Sequence, residues 1–126
     1  STDGMTWTQS NITSGNFLSL YFSNNLWVAG GLNGLYYSTD GMTWTQSNIT
    51  SGASIYAIYF KNGVWCACSN KGLYYSIDGM NWIQTNIQQL IFLSAFYNNG
   101  AWLVGGETGI YLSSVDKLIE EGSIQI

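Results

Sequence analysis

Three aspartates recur in the same short motif, and their type and spacing suggest chemistry more readily than any other residues. Asp3, Asp40 and Asp78 each stand two residues after a serine, one before a glycine and four before a tryptophan. Repeated carboxylates can bind calcium, and two apposed carboxylates can hydrolyse a glycosidic bond. Catalysis, however, needs one asymmetric site, whereas these carboxylates return after 37 and 38 residues. We therefore predict a repeated structural turn, with no catalytic residue, no metal site and no cofactor.

The motif itself explains how such a turn is built. The aspartate can accept backbone N–H groups of its own turn, the next glycine can take a positive φ, and the tryptophan can cover the hairpin. These structural roles are predicted for Asp3, Gly4, Trp7, Asp40, Gly41, Trp44, Asp78, Gly79 and Trp82. The segments 1–15 and 38–52 are identical, which indicates a recent duplication, natural or engineered.

The charged residues argue against several function classes. The chain has three lysines, no arginine and no histidine against seven carboxylates, and its net charge is -4. This balance argues against a nucleic-acid surface that follows phosphates. A sialidase-like site would need arginines, and the carboxylates outside the motifs are Glu107, Asp116, Glu120 and Glu121. We predict that the chain is not an enzyme.

Two cysteines lie close together in the middle of the chain. Cys66 and Cys68 are two residues apart on a predicted strand, so both side chains face the same side. A zinc site would need further cysteine or histidine ligands, and none accompanies them. We predict that both are small buried apolar residues.

Tryptophans mark a repeat along nearly the whole chain. One series is Trp7, Trp44 and Trp82, and a second series with the same period is Trp27, Trp65 and Trp102. Between them, apolar and aromatic runs alternate with turns rich in Asn and Gly, the pattern of four short antiparallel strands per unit. Four strands in about 40 residues are typical of a β-propeller blade. We predict an all-β chain with an outer strand at 1–13, blades at 14–50 and 51–88, and a third blade with a divergent end at 89–126.

The strands within a unit differ in their patterning. The first strand, as in residues 17–22, carries apolar residues on both faces and is predicted to be an inner strand covered on both sides. The last strand, as in residues 45–48, is more polar and is predicted to form the outer rim.

The motif Ser-x-Asp-Gly-x-Thr-Trp resembles the Asp-box of bacterial-neuraminidase-like, sialidase-like, sortilin-like and photosystem-assembly propellers. The family pattern is Ser-x-Asp-x-Gly-x-x-Trp, so one residue between Asp and Gly is missing here. The resemblance implies hairpins between the third and fourth strands of propeller blades. It implies little about function, because the family contains enzymes and non-enzymes alike.

The predicted blades do not close a ring by themselves. Roughly three and a third blades are present, whereas propellers have about four to eight. The chain opens within a repeat, and we interpret it as a piece whose natural N-terminus has been lost. Residues 7–12 can complete a blade of a second chain, which would give a dimeric six-bladed ring, or a blade from upstream sequence. Alternatively, residues 122–126 form the last strand of the third blade.

The units differ most at one end. The turns there carry Asn33, Asn70, Lys71, Glu107 and Thr108, whereas the turns at the Asp-motif end are nearly the same in every unit. Variation on a fixed scaffold is typical of binding loops. We expect a non-catalytic recognition module of a surface or phage-adhesion type that binds glycan or protein. The alternatives are an assembly or scaffold propeller without a small ligand, and a non-catalytic fragment of a larger glycoside hydrolase.

Composition also bears on location. No apolar run approaches the length of a membrane span, so none is predicted. Low charge with many Asn, Ser and Thr residues favours an extracellular or virion-surface location, without deciding the compartment.

Overall fold

The computed structural model describes residues 1–49, 52–88 and 90–114. Within these ranges the chain forms strands and no helix, so the prediction of an all-β chain is confirmed. The strands are β1 (Phe17–Ser23), β2 (Leu26–Gly31), β3 (Gly34–Ser38), β4 (Thr45–Gln46), β5 (Ile55–Lys61), β6 (Val64–Ser69), β7 (Gly72–Ser76), β8 (Ile83–Gln88), β9 (Phe92–Asn98), β10 (Ala101–Gly106) and β11 (Gly109–Ser114). The part of the chain described here contains no helical segment with the length and apolar character that a membrane crossing needs.

The strands form three antiparallel sheets, each a meander in chain order. Sheet 1 consists of β1 to β4, sheet 2 of β5 to β8, and sheet 3 of β9 to β11. Each sheet lies within one of the predicted units 14–50, 51–88 and 89–126. The first strands β1, β5 and β9 lie next to one another, so the sheets approach each other most closely along these strands.

Tight turns join the first and second strand of each sheet. Asn24 and Asn25 have φ angles of 52° and 61°, and Asn62 and Asn99 have φ angles of 53° and 51°. A two-residue hairpin turn matches the twist of its strands when both central residues take a positive φ, which asparagine and glycine tolerate best. The Asn-Asn and Asn-Gly pairs therefore fix these hairpins.

Neighbouring sheets pack face to face through apolar side chains. Leu26, Val28 and Leu35 of sheet 1 share a buried cluster with Ile55 and Ile58 of sheet 2. We call the side of a sheet that faces the preceding sheet its front face, as at Ile55 and Ile58, and the opposite side its back face, as at Val28 and Leu35.

The same arrangement joins sheets 2 and 3. Cys66, Cys68 and Leu73 on the back face of sheet 2 share a cluster with Phe92 and Ala95 on the front face of sheet 3. Both cysteines are free and fully buried, which confirms their predicted role as small core residues. The neighbouring Cys68 thiol and burial both raise the pKa of Cys66 well above its usual value, so this thiol stays protonated at neutral pH.

The structure differs from the predictions at the start of the array. Residues 7–12 were predicted to be an outer strand but form no strand, because no third strand of their own unit lies beside them in this chain. The first strand of sheet 1 was predicted to be covered on both sides, yet its large side chains are exposed: Phe17, Leu18, Leu20 and Phe22. The predicted final strand at 122–126 lies outside the described residues.

A bulge changes which residues of the first strand share a face. The register of β1 against β2 shifts between Phe17 and Ser19, and that of β5 against β6 shifts between Ile55 and Ala57. A bulge adds one residue and so breaks the simple alternation of faces. Ile55 and Ile58 consequently lie on the same face although they are three residues apart.

Candidate functional site

The Asp motifs form the same hydrogen-bonded turn three times. The serine hydroxyl donates to the aspartate Oδ1 atom at 3.1 Å from Ser1, 3.0 Å from Ser38 and 3.0 Å from Ser76. The backbone N–H groups two and three residues after each aspartate donate to the same oxygen at 2.8 to 2.9 Å. Each glycine N–H donates to the serine Oγ atom at 2.8 Å. The Oδ1 atom of each motif carboxylate therefore serves its own turn.

Glycine and tryptophan complete the turn. Gly4, Gly41 and Gly79 have φ angles of 77°, 78° and 79°, a region that residues with a Cβ atom rarely adopt. The indole N–H of the tryptophan three residues later donates to the glycine carbonyl oxygen at 3.2, 3.0 and 3.0 Å. The hydrogen bonds that the motif predicts are thus present in all three copies.

The turn controls the protonation of its carboxylate. Backbone N–H bonds from Thr6 and Met5 lower the pKa of Asp3, and the corresponding bonds lower the pKa of Asp40. Partial burial acts to raise the pKa of Asp78, but bonds from the Asn81 backbone and side-chain amides, with others, outweigh it and lower the pKa to about 2. A carboxylate held ionised in this way is a strong acceptor and a poor proton donor.

This electrostatic arrangement predicts acid sensitivity. A carboxylate whose pKa is lowered by folding adds stability above its usual value of 3.8 and loses that stability as the pH falls towards about 2. Because Asp78 is largely exposed, we expect Asp78→Asn to cost only about 1 kcal/mol of unfolding free energy at pH 7 and much less at pH 2. Urea unfolding of both proteins at these two pH values measures the effect. Parallel losses at both pH values would contradict it.

Two asparagines bind the second and third motifs, each from the segment that follows the preceding motif. The Asn11 side chain accepts from the Trp44 backbone N–H at 2.8 Å and donates to the Trp44 carbonyl oxygen at 3.3 Å. Asn48 makes the same pair of bonds with Trp82, at 2.8 and 2.7 Å. In the sequence these asparagines start two Asn-Ile-Thr glycosylation sequons, copies of one duplicated segment, and their contact with the tryptophans was not predicted. The detectable signal was their identical position in each repeat, two residues beyond Gln9 and Gln46.

The predicted ligand-binding residues lie in the turns between the second and third strands of the sheets. Asn33 is in sheet 1, Asn70 and Lys71 are in sheet 2, and Glu107 and Thr108 are in sheet 3. All except the half-buried Asn70 are exposed. The turns occupy corresponding corners of three sheets and lie at the opposite end of the strands from the Asp motifs.

Each variable turn is anchored by its backbone. The Gln46 side-chain amide donates to the Asn33 carbonyl oxygen at 3.1 Å, and the Gln84 amide donates to the Lys71 carbonyl oxygen at 2.6 Å. The Glu107 backbone N–H donates to the Ile91 carbonyl oxygen at 3.2 Å. Because these bonds use the backbone, they fix the turn and leave the exposed side chains of Asn33, Lys71 and Glu107 available for other contacts.

Asn70 has a structural contact of its own. Its side-chain Oδ1 atom accepts from the Ser54 backbone N–H at 2.9 Å, while its backbone N–H donates to the Ser54 carbonyl oxygen at 3.1 Å. These bonds hold the Asn70 side chain in the turn and leave its amide NH₂ group as a donor for a ligand. The predicted set is consequently divided between exposed side chains and this turn-fixing asparagine.

The front face of sheet 1 carries an open cavity that the sequence did not predict. It has a volume of about 510 Å³ and lies between residues 8–12 and the sheet. Its lining is mainly apolar and comprises Thr8, Ser10, Ile12, Phe17, Leu18, Ser19, Leu20, Ala29, Gly41 and Trp44. Among the residues that the structure describes, no three carboxylate or thiol side chains come together as a possible metal site.

Comparisons with known proteins bear on the fold alone. No protein-family model and no curated protein matches the chain. Solved structures that match include the computationally designed proteins Ika4, with TM-score 0.70 and 14% identity, and Ika8, with TM-score 0.62 and 17% identity. Another is the extracellular domain of a hybrid two-component system from B. thetaiotaomicron, with TM-score 0.69 and 20% identity.

The share of each protein that aligns differs widely. The matches cover 94% of this chain and 75% of Ika4, and 86% of this chain and 35% of Ika8. They cover 91% of this chain and 18% of the extracellular domain. The chain thus spans about a third of Ika8 and less than a fifth of the extracellular domain. What these comparisons support is an all-β chain of small antiparallel sheets similar to parts of these structures.

Proposed function

We propose that the three sheets are blades of an Asp-box-like β-propeller and that the chain is a non-catalytic recognition module. The observation that carries the proposal is the set of turns between the second and third strands. The turns hold different exposed polar side chains, Asn33, Lys71, Glu107 and Thr108, on a framework that repeats around them. Loops that vary on a rigid scaffold are the usual place for specificity.

The chemistry of these turns suits a ligand with many hydroxyl groups. The Asn33 amide both donates and accepts hydrogen bonds, the Lys71 ammonium donates, and the Glu107 carboxylate accepts. A glycan, or a polar protein surface, presents the matching donors and acceptors. An ammonium and a carboxylate on neighbouring sheets also favour a neutral ligand over a strongly charged one. We favour the glycan as the first ligand class to test.

A glycan array tests the proposal, and two lysines of sheet 2 form a matched pair of variants. Lys71 and Lys61 are both exposed, but Lys71 lies in a variable turn and Lys61 lies at the Asp-motif end. We expect Lys71→Ala to weaken binding of an array hit about fivefold or more, roughly 1 kcal/mol. Lys61→Ala should stay within about twofold, since Lys61 lies at the opposite end of the sheet from the proposed surface.

Binding that does not depend on the variable turns would contradict the proposal. Equal effects of Lys71→Ala and Lys61→Ala, with no effect of Asn33→Ala or Glu107→Ala, would place binding outside the variable turns. The recognition function would also be contradicted if the protein binds no glycan on the array and captures no protein through these turns.

A further inference from the structure

The two interfaces within the chain follow one rule. The back face of one sheet covers the front face of the next, and equivalent positions do this each time. Val28 and Leu35 on the back of sheet 1 are 0% exposed, as are their counterparts Cys66 and Leu73 on the back of sheet 2. Strand register identifies these counterparts, because Val28 pairs with Tyr37 as Cys66 pairs with Tyr75.

The back face of sheet 3 has apolar residues at the equivalent positions, but no following sheet covers them in the described part of the chain. Leu103 pairs with Leu112 in the same register, and Ile110 stands where sheets 1 and 2 have leucine. The exposed fractions are 45% for Leu103, 62% for Ile110 and 43% for Leu112. Three large aliphatic side chains thus form an exposed patch on sheet 3, on the face that is buried in sheets 1 and 2.

The front face of sheet 1 is open in the complementary way. Phe17 is 40% exposed and Leu20 is 59% exposed, whereas their counterparts Ile55 and Ile58 in sheet 2 are 0% and 3% exposed. In sheet 2, these positions are covered by the back face of sheet 1. In sheet 1, the open cavity of about 510 Å³ occupies the corresponding place.

Residues 8–12 repeat two contacts of the fourth-strand segment 45–49, although they are not paired with a sheet. The Ile12 N–H donates to Ser10 Oγ at 3.2 Å, just as the Ile49 N–H donates to Ser47 Oγ at 3.0 Å. Asn11 also makes the contacts of Asn48 with the next motif. The segment 45–49, however, bonds to the third strand of its own sheet, with Ser47 N–H to Leu35 O at 2.8 Å and Leu35 N–H to Ile49 O at 3.0 Å.

Among the described residues, sheet 3 lacks a fourth strand, whereas residues 8–12 lack a sheet. In the described part of the chain it has three strands, and β11 is an edge. Its strand β11 is the counterpart of β3, which bears the fourth strand in sheet 1. One end of the chain therefore offers a fourth strand and a bare front face, and the other end offers a sheet edge and a bare back face.

We propose that two copies of this chain cover each other's open faces. The back face of sheet 3 of the first copy packs on the front face of sheet 1 of the second copy. Residues 8–12 of the second copy then pair with β11 of the first. By the register of sheet 1, in which Tyr36 lies opposite Gln46, Gln9 of the second copy lies opposite Tyr111. Leu103 and Ile110 enter the open cavity, as Val28 and Leu35 cover the front face of sheet 2.

The proposed contact between two copies rests on the proposed blade architecture, and it names a second copy of the chain as the binding partner. A head-to-tail contact between identical chains closes into a ring when the rotation per copy allows it. Two copies supply six sheets, within the range of about four to eight blades that propellers use. We therefore expect a closed dimer.

Light scattering with three variants tests the packing. The chain should have twice its mass of 13.9 kDa, and Leu103→Asp or Ile110→Asp should weaken association at least tenfold, because each places a charge in the sealed contact. Ile83→Asp is the matched control, since Ile83 is 56% exposed on the outermost strand of sheet 2, and it should stay within twofold. Circular dichroism should show that all three remain folded. A monomeric unsubstituted chain overturns the proposal.

Mixing two variants, each with one added cysteine, tests the strand pairing directly. Residues directly opposite each other in an antiparallel pair have Cα atoms roughly 4.5 to 5.5 Å apart, which a disulfide can span. The Gln9→Cys and Tyr111→Cys proteins, mixed under mild oxidation, should give a disulfide-linked heterodimer, and neither protein alone should do so. Cys66 and Cys68 are buried and do not compete. A dimer that fails to crosslink, as when residues 122–126 of the same chain fill the edge of β11, overturns the proposal.

The two proposals fail separately. A monomeric chain that binds ligand through Lys71 refutes the second-copy contact and leaves the recognition function intact. A crosslinked dimer whose binding is indifferent to the variable turns does the reverse.

Discussion

Gly106→Ala is expected to lower the free energy of unfolding by about 3 kcal/mol, one of the two largest effects that we predict for this chain. A Cβ atom on Gly106 would overlap the backbone carbonyl oxygen of Ile91. That oxygen accepts the Glu107 N–H at 3.2 Å, so the variant must either break this bond or move β9 away from β10. Urea unfolding followed by circular dichroism measures the loss.

The adjacent glycine provides the control. A Cβ atom on Gly105 would find only the Ser94 hydroxyl within 4 Å, at 3.8 Å, an ordinary contact. Cys68 holds the same position in sheet 2, so a side chain is already accommodated there. Gly105→Ala should therefore change the unfolding free energy by less than about 0.5 kcal/mol. Equal losses in the two variants would show that strand propensity, rather than backbone approach, determines the cost.

The close approach at Gly106 was only partly predictable. The Gly-Gly pairs at 30–31 and 105–106 indicate that backbones converge, but the sequence does not identify which glycine of each pair lies against a carbonyl group. That depends on the bulge in the neighbouring first strand, where the register shifts at Gly105 and Gly106. A bulge is a property of paired strands, so a single strand's pattern of apolar residues does not specify it.

Local chemistry, in contrast, was predictable residue by residue. The turns at Asn62 and Asn99 and the hydrogen bonds around Asp40 involve residues close together in sequence, and their side chains dictate the backbone. The exposure of Phe17 and Ile110 follows from which sheets surround each face, a long-range property that their own strands do not encode.

In the candidate site, too, some features could be predicted from the sequence and others could not. Asn33, Lys71 and Glu107 could be found because repeats that agree elsewhere differ at these positions. The bond from Ser54 to Asn70 joins residues 16 positions apart within one unit, and the contact of Asn11 with Trp44 joins two units. Neither contact could be predicted, because neither partner is a neighbour in sequence of the other. Repeat comparison detects variation and does not reveal which conserved side chain bridges two units.

The core between sheets 1 and 2 should depend strongly on one tryptophan. Trp65 is 0% exposed, and its ring lies 4.8 Å from the Phe60 ring and 6.1 Å from the Tyr21 ring, measured between centroids. We expect Trp65→Ala to lower the unfolding free energy by about 3 to 5 kcal/mol, because the lost contacts leave a cavity that two packed sheets cannot fill. Trp65→Phe keeps an aromatic ring and should cost clearly less. Urea unfolding followed by circular dichroism measures both losses.

Trp7→Ala is the control for tryptophan replacement, since Trp7 is 76% exposed. Trp65→Ala and Trp7→Ala should both be measured in the Ile110→Asp background, at a protein concentration at which the weakened association leaves the chain monomeric and residues 1–12 uncovered by a second copy. There Trp7→Ala removes only the indole bond to Gly4 and should cost less than about 1 kcal/mol. If Trp7→Ala is as costly as Trp65→Ala in this background, the N-terminal motif is packed within the monomer. Residues 8–12 would then already be packed against their own chain, and would not be available to a second copy.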